Sequence, residues 1–98
     1  MDGAAGMAGY VTSKWAMRGL TKASAADLAP FNIRVLSLHP ALVRTPMSSQ
    51  VDLPTATANY LIPRAGEPEE IAKMMVFMVA DATFSTGSEF IADGGSLL

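Results

Sequence analysis

Small and apolar side chains return every three or four positions from about Tyr10 to Ala29. Ala16, Gly19, Ala23 and Ala26 form one row, with Leu20 and Leu28 beside it. That spacing follows the 3.6-residue turn and predicts a helix over 10–29, ended by Pro30 and Asn32. The residues before it carry Gly3, Gly6 and Gly9 and read as a loop leading in. Ile33-Arg34-Val35-Leu36-Ser37-Leu38 is short, mostly apolar and partly β-branched, which predicts a buried strand over 33–38, closed by His39-Pro40. Residues 41–65 hold Pro46, Pro54 and Pro63 among many Ser and Thr and read as a long loop with room for one helical turn. Loops of that length in compact domains are often functional lids. A second helix is predicted over 68–80. Pro68 suits its first position, Glu69 and Glu70 suit the positive end of its dipole, and Ile71, Met74, Met75, Met78 and Val79 make its apolar face. A turn at 85–88, a strand over 89–92 and a turn at Asp93-Gly94-Gly95 complete the pattern.

The order helix, strand, loop, helix, strand predicts two parallel neighbouring strands joined by a right-handed crossover. Parallel sheets are covered on both faces and have more strands than two, so the strand at Ile33 is expected to leave an open edge. Composition points the same way. Half of the 98 residues are hydrophobic and 16% are charged, which excludes a disordered chain. It is also unusually apolar for a free-standing domain this small, so the chain is expected to be part of something larger. The net charge of −2, with no basic run, argues against a nucleic-acid or membrane partner. The absence of cysteine excludes disulfides and cysteine-based metal sites and fits a reducing compartment. Met1 to Gly9 lacks the basic start and apolar run of a signal peptide, and no apolar stretch is long enough to span a bilayer. The expectation is a soluble cytoplasmic protein.

Candidate chemistry enters at Tyr10 and Lys14, four apart and therefore on one helical face. A free phenol, with a pKa of about 10, is a poor base near neutrality. A neighbouring cation favours the phenolate and makes such a group useful for exchanging a proton with a hydroxyl. Ser13 has no plausible base beside it and reads as structural. His39 follows a buried strand and reads as a hydrogen-bonded strand-end side chain. No cluster has metal-ligand spacing, and the methionines at 74, 75 and 78 read as core packing. Glu67, Glu69 and Glu70 are helix-start carboxylates rather than an acid/base pair. Trp15 is expected to pack beside the helix. The Ala16, Gly19, Ala23, Ala26 row has two readings, packing within the chain or a helix–helix contact between subunits.

Four blocks in this order resemble the short-chain dehydrogenase/reductase family over nearly the whole chain. They are Tyr10-x-x-Ser13-Lys14; Asn32-Ile33-Arg34-Val35 feeding His39-Pro40-Ala41-Leu42-Val43-Arg44-Thr45-Pro46-Met47; Gly66-Glu67-Pro68-Glu69-Glu70-Ile71-Ala72; and Thr86-Gly87-Ser88-Glu89-Phe90 with Asp93-Gly94-Gly95. The stretch Ser13 to Lys22 is most similar to hydroxysteroid-dehydrogenase-type bacterial members. The resemblance implies the C-terminal portion of a doubly wound Rossmann-type α/β parallel sheet, with two strands, two main helices and no N-terminal nucleotide-binding half.

It also implies NAD or NADP as cofactor and a small-molecule secondary alcohol or ketone as substrate. Tyr10 would be the general acid/base. Lys14 would favour its phenolate and hydrogen-bond the nicotinamide ribose. The backbone of Val43 and the hydroxyl of Thr45 would hold the carboxamide, with Pro40 shaping the turn, and the loop from Pro46 to Pro63 would be the substrate lid. Two departures stand out. Pro40-Ala41 replaces the family's usual Pro-Gly. The Gly-rich phosphate turn is absent, since Gly3, Gly6 and Gly9 lack the G-x-G-x-x-G spacing. The family's serine that polarises the substrate oxygen would fall at or before Met1. The expectation is therefore an oxidoreductase chain that is incomplete alone, pairing with a complementary N-terminal half or forming a homo-oligomer. The alternative is a non-catalytic fragment that acts only by pairing with a related subunit.

Overall fold

The computed structural model describes residues 3–96. Its main elements are helix α1 (Gly3–Leu28), strand β1 (Ser37–Pro40), the one-turn helix α2 (Leu53–Ala56), helix α3 (Pro68–Ala80) and strand β2 (Glu89–Ala92). Short 3-10 turns lie at Ala29–Phe31 and Pro46–Ser48. The strands pair as a two-stranded parallel sheet. The chain divides into two compact units. One takes the residues up to Ser37 with Phe84–Glu89; the other takes Leu38–Thr83 with the residues from Phe90 on.

In the first unit α1 begins at Gly3, so the loop expected ahead of Tyr10 is helical over 3–9. Ala4, Ala5 and Ala8 are the strongest helix formers and offset the cost of the interspersed glycines, which punctuate a chain only when nothing continues the ladder. Met1 and Asp2 lie outside the described residues. The helix tightens into the 3-10 turn at Pro30 and stops at Asn32 (φ 60°), whose N–H donates to the Ala29 carbonyl at 2.9 Å. Asparagine tolerates this left-handed cap better than most residues.

The strand expected over 33–38 is displaced, and regular pairing runs over Ser37–Pro40. The cause is its partner. Val35 N–H donates to Thr86 Oγ1 at 3.1 Å, and the Val35 carbonyl accepts from Gly87 N–H at 2.7 Å. Ser37 N–H then donates to the Ser88 carbonyl at 3.1 Å. Residues 33–36 therefore lie against a turn, and a ladder becomes possible only as β2 begins. His39 and Pro40, expected to close the strand, are inside it.

The small-residue row on α1 does not pack within the chain. Ala16, Gly19, Ala23 and Ala26 are exposed, while Thr21 and Ala25 are buried and Lys14, Arg18 and Leu28 are half-buried. The inward face is thus partly polar.

In the second unit the 41–65 segment is more structured than a bare loop. Val43 forms a parallel bridge with Gly66, and Asp52 caps α2, its carboxylate accepting from the Thr55 hydroxyl at 2.7 Å. On α3, Met78 is buried and Ile71 and Met74 are half-buried, whereas Met75 and Val79, expected on the same apolar face, point outward. Phe77 meets Phe90 edge-on, with ring centroids 6.3 Å apart. Among the described residues the only buried apolar side chains are Ala25, Ala65, Met78 and Ala82. Large ones stay in water: Trp15 is 64% exposed, Leu20 61%, and Phe84 fully exposed. Among the described residues no helix is long and apolar enough to cross a membrane.

Candidate active site

Tyr10 and Lys14 come together on α1. Helical spacing brings the Lys14 ammonium over the Tyr10 ring, 5.3 Å from its centroid, with the ring half exposed. A cation over an aromatic face is attracted by the ring quadrupole. The same edge continues with Arg18 and Lys22. Arg18 Nε pairs with Glu89 Oε1 at 3.1 Å while its guanidinium lies 4.8 Å from the Trp15 ring, and Lys22 Nζ donates to the Gly87 carbonyl at 3.2 Å. These two ties fix the rotation of α1 about its axis within this unit, and so fix the direction in which Tyr10 and Lys14 project. Trp15 packs on Arg18 rather than into a core.

Pro40, Val43 and Thr45 lie along one stretch of the second unit. Pro40 ends β1 and is exposed. The bridge at Val43 uses its neighbours: the Leu42 carbonyl accepts from Gly66 N–H at 2.9 Å, and Arg44 N–H donates to the Gly66 carbonyl at 2.8 Å. In extended backbone successive peptide groups face opposite sides. The N–H and C=O of Val43 itself therefore face away from Gly66. Thr45 is extended and opens the 3-10 turn; its N–H donates to Ser48 Oγ at 3.0 Å, and the Ser48 hydroxyl donates to the Thr45 carbonyl at 2.9 Å. Ser48 is buried, so these bonds are shielded from water.

One ion pair ties this strap to the start of α3, and a second forms beside it. Arg44 Nε meets Glu67 Oε1 at 3.0 Å. Arg64 forms a fork with Glu70, at 2.7 and 2.9 Å, and Glu70 Oε1 also accepts the Glu67 N–H at 2.9 Å. The Arg64 hydrogen bond, followed by that from the Glu67 backbone, lowers the Glu70 carboxyl pKa to about 2. The same pairing raises that of Arg64.

Sequence reasoning did not single out Ser48, Arg44 or Arg64. The signal for Ser48 was available: a hydroxyl three residues beyond Thr45, with Pro46 between, is a turn-capping pattern. No sequence signal pairs Arg44 with Glu67, because 23 positions separate them. His39 is buried within β1. Among the described residues no group of His, Asp and Glu could hold a metal ion.

Two parallel strands that alternate along the chain with helices are the pattern of the doubly wound α/β class. Comparison with known proteins narrows that class. A family profile described as "Enoyl-(Acyl carrier protein) reductase" matches residues 2–96, and the chain belongs to the short-chain dehydrogenase/reductase family. It is 48% identical over 99 residues to cyclopentanol dehydrogenase of Comamonas sp. (strain NCIMB 9872), covering 95% of this chain and 40% of that protein. It is 44% identical over 90 residues to 3-alpha-(or 20-beta)-hydroxysteroid dehydrogenase of Mycobacterium bovis, covering 91% and 34%. Among solved structures, a 4-hydroxyisoleucine dehydrogenase mutant complexed with NADH and succinate superposes with a TM-score of 0.79 at 35% identity, covering 90% of this chain and 39% of that one. The chain thus spans two fifths or less of the length of these relatives.

Proposed function

We propose that this chain is the proton-transfer portion of an NAD(P)-dependent oxidoreductase interconverting a secondary alcohol and a ketone. The observation that carries the reading is the Lys14 ammonium held over the Tyr10 ring on an exposed helix edge. In oxidation, Tyr10 as phenolate takes the hydroxyl proton; in reduction, its hydroxyl returns a proton to the carbonyl oxygen. Lys14 places a positive charge beside the ring at which the proton is exchanged. A nicotinamide, when bound, supplies or accepts the hydride at the substrate carbon.

The residues present fit that end of the cofactor. Val43 turns its backbone N–H and C=O away from the Gly66 bridge, a match for a carboxamide, and Thr45 follows on the same strap, with Pro40 ending β1 before it. They do not fit the phosphate end. Gly9 lies inside α1, with no strand ahead of it among the described residues, whereas a phosphate turn needs glycines between strand and helix. Phosphate binding on this reading belongs to a complementary N-terminal half, and the lone chain is inactive. The cysteine-free composition supports a reducing, cytoplasmic setting.

A second reading is a non-catalytic fragment acting only through a related subunit. The exposure of Trp15, Leu20 and Phe84 favours it, because apolar surface of this kind is covered in a working assembly. Titration with NADH and NADPH, alone and mixed with a polypeptide encoded just upstream, separates the two. Cofactor binding and turnover that appear only on mixing support the oxidoreductase; turnover by the lone chain contradicts its incompleteness. No binding in either case favours the fragment.

A further inference from the structure

The second unit contains a cleft of about 350 Å³, a volume in the range of small-molecule sites. It opens beyond the carboxyl ends of the two parallel strands: Leu42 follows β1, which ends at Pro40, and Asp93 follows β2, which ends at Ala92. Open parallel sheets take their ligands at that end. Leu42, Ile62 and Ile91 give the cleft a hydrocarbon lining, and Tyr60 and Ile62 bring to it the end of the 46–63 segment.

The charges at the cleft are already engaged. Among the described residues that line it, Arg64 alone carries a positive charge. Its Nη1 and Nη2 donate to the Glu70 carboxylate at 2.7 and 2.9 Å, and Nη1 also donates to the Ala65 carbonyl at 3.1 Å. The planar fork with which an arginine recognises a carboxylate is therefore filled. Asp93 Oδ1 accepts the Gly95 N–H at 2.9 Å, while Oδ2 is buried, without a hydrogen-bond partner among the described residues, and is closed to a ligand. Residues 46–63 contain no Lys, Arg or His, and their one acid, Asp52, accepts the Thr55 hydroxyl at 2.7 Å. Arg44, just ahead of that segment, is held by Glu67 at 3.0 Å.

A ligand carboxylate entering this cleft would give up hydration, meet two negative side chains and find no open cationic fork. A neutral ligand buries hydrocarbon against Leu42, Ile62 and Ile91 without that penalty. Glu70 decides between the two, because it is the group that occupies Arg64. We propose that Glu70 is a specificity-determining residue: by filling the Arg64 fork it makes the cleft take a compact, neutral hydrocarbon ketone or secondary alcohol and refuse the carboxylate-bearing counterpart. That this ligand is the substrate rests on the reading of 46–63 as the lid of the oxidoreductase; the charge selectivity of the cleft is tested without it.

The test is a titration of the full 98-residue chain near neutral pH, followed by amide chemical shifts. The probes are cyclohexanone, cyclohexanecarboxylate and cyclohexanecarboxamide, the last a neutral match for the carboxylate in size. Saturable shifts at 60–64 and 91–95 are expected for the ketone and the amide, with the carboxylate weaker than the amide by about tenfold or more. Glu70→Gln keeps the length of the side chain and removes its charge from the fork, so carboxylate affinity relative to the ketone should rise by about fivefold or more. Adding Arg64→Gln to that variant should erase the rise. Should Glu70→Gln fail to fold, the amide against the carboxylate on the parent chain decides alone. The proposal is overturned if the carboxylate binds the parent as tightly as the amide, if the ketone gives no saturable shifts at these positions, or if folded Glu70→Gln shows no rise. Mixing with the polypeptide encoded just upstream tells the two readings apart. No turnover with any alcohol removes the oxidoreductase and leaves the selectivity of the cleft standing, whereas turnover beside an unselective cleft removes the selectivity alone.

Discussion

At the scale of single residues, the proposed chemistry rests on a phenol and an ammonium held together by one helical turn. Tyr10→Phe removes the transferable proton and leaves the ring beneath Lys14. In the chain paired with its complementary half, turnover should fall by about 10²–10⁴-fold while NADH affinity stays near that of the parent. Equal turnover would remove Tyr10 from the reaction. Ser48 acts one step away, fixing Thr45 through the backbone on both sides. Ser48→Ala strands the Thr45 N–H and should cost about 1–3 kcal/mol in denaturant unfolding, with exchange quickening first at the Thr45 amide. The Tyr10–Lys14 pair was legible in the sequence because a spacing of four on a helix fixes proximity without any tertiary information. Ser48 was less so, since its value depends on burial, which local pattern does not report.

At the scale of elements, the strap from Leu42 to Thr45 is held by two backbone bonds to Gly66 and one ion pair to Glu67, and a second ion pair, Arg64–Glu70, ties the residues before α3 to its first turn. The pairs differ in weight. Arg44–Glu67 is a single exposed contact, and Arg44→Ala should change stability by no more than about 1 kcal/mol. Glu70 does more, because one carboxylate receives the Arg64 fork and the Glu67 N–H. Its folded pKa of about 2 lies below the ordinary 4.5. A depressed carboxyl stabilises the fold above its unfolded pKa and loses that contribution as pH falls towards the folded value. Exchange at the Glu67 amide should therefore be flat above pH 4.5, once corrected for intrinsic rates, and rise between there and about pH 2; Glu70→Gln should abolish that rise. The boundaries of α3 were readable from Pro68 and its carboxylates. The start of α1 was not, because glycine was read as punctuation where neighbouring alanines sustain the helix. Nor was the register of β1, which is set by the turn at Thr86–Ser88 lying against Val35, a contact 51 positions away in sequence.

At the scale of the whole molecule, the dominant fact is how little of a strongly apolar chain is buried. Half-exposed or fully exposed Trp15, Leu20, Met75 and Phe84 leave hydrophobic surface that water disfavours. The lone chain should bind a hydrophobic dye and show the red-shifted emission of a hydrated indole. Addition of the complementary polypeptide should quench the dye signal and shift Trp15 emission to the blue. A chain that excludes the dye and sediments as a monomer would contradict the pairing. The sequence by itself determined the family, the helical spacing of Tyr10 and Lys14, and the parallel two-strand pattern, because each depends on neighbours within a few positions or on a motif of fixed order. Only the tertiary structure decided which face of α1 turns inward, where β1 begins to pair, that Val43 presents its backbone away from Gly66, and that Asp93 keeps a buried oxygen without a donor among the described residues. Those outcomes depend on contacts between distant segments, and no local periodicity encodes them.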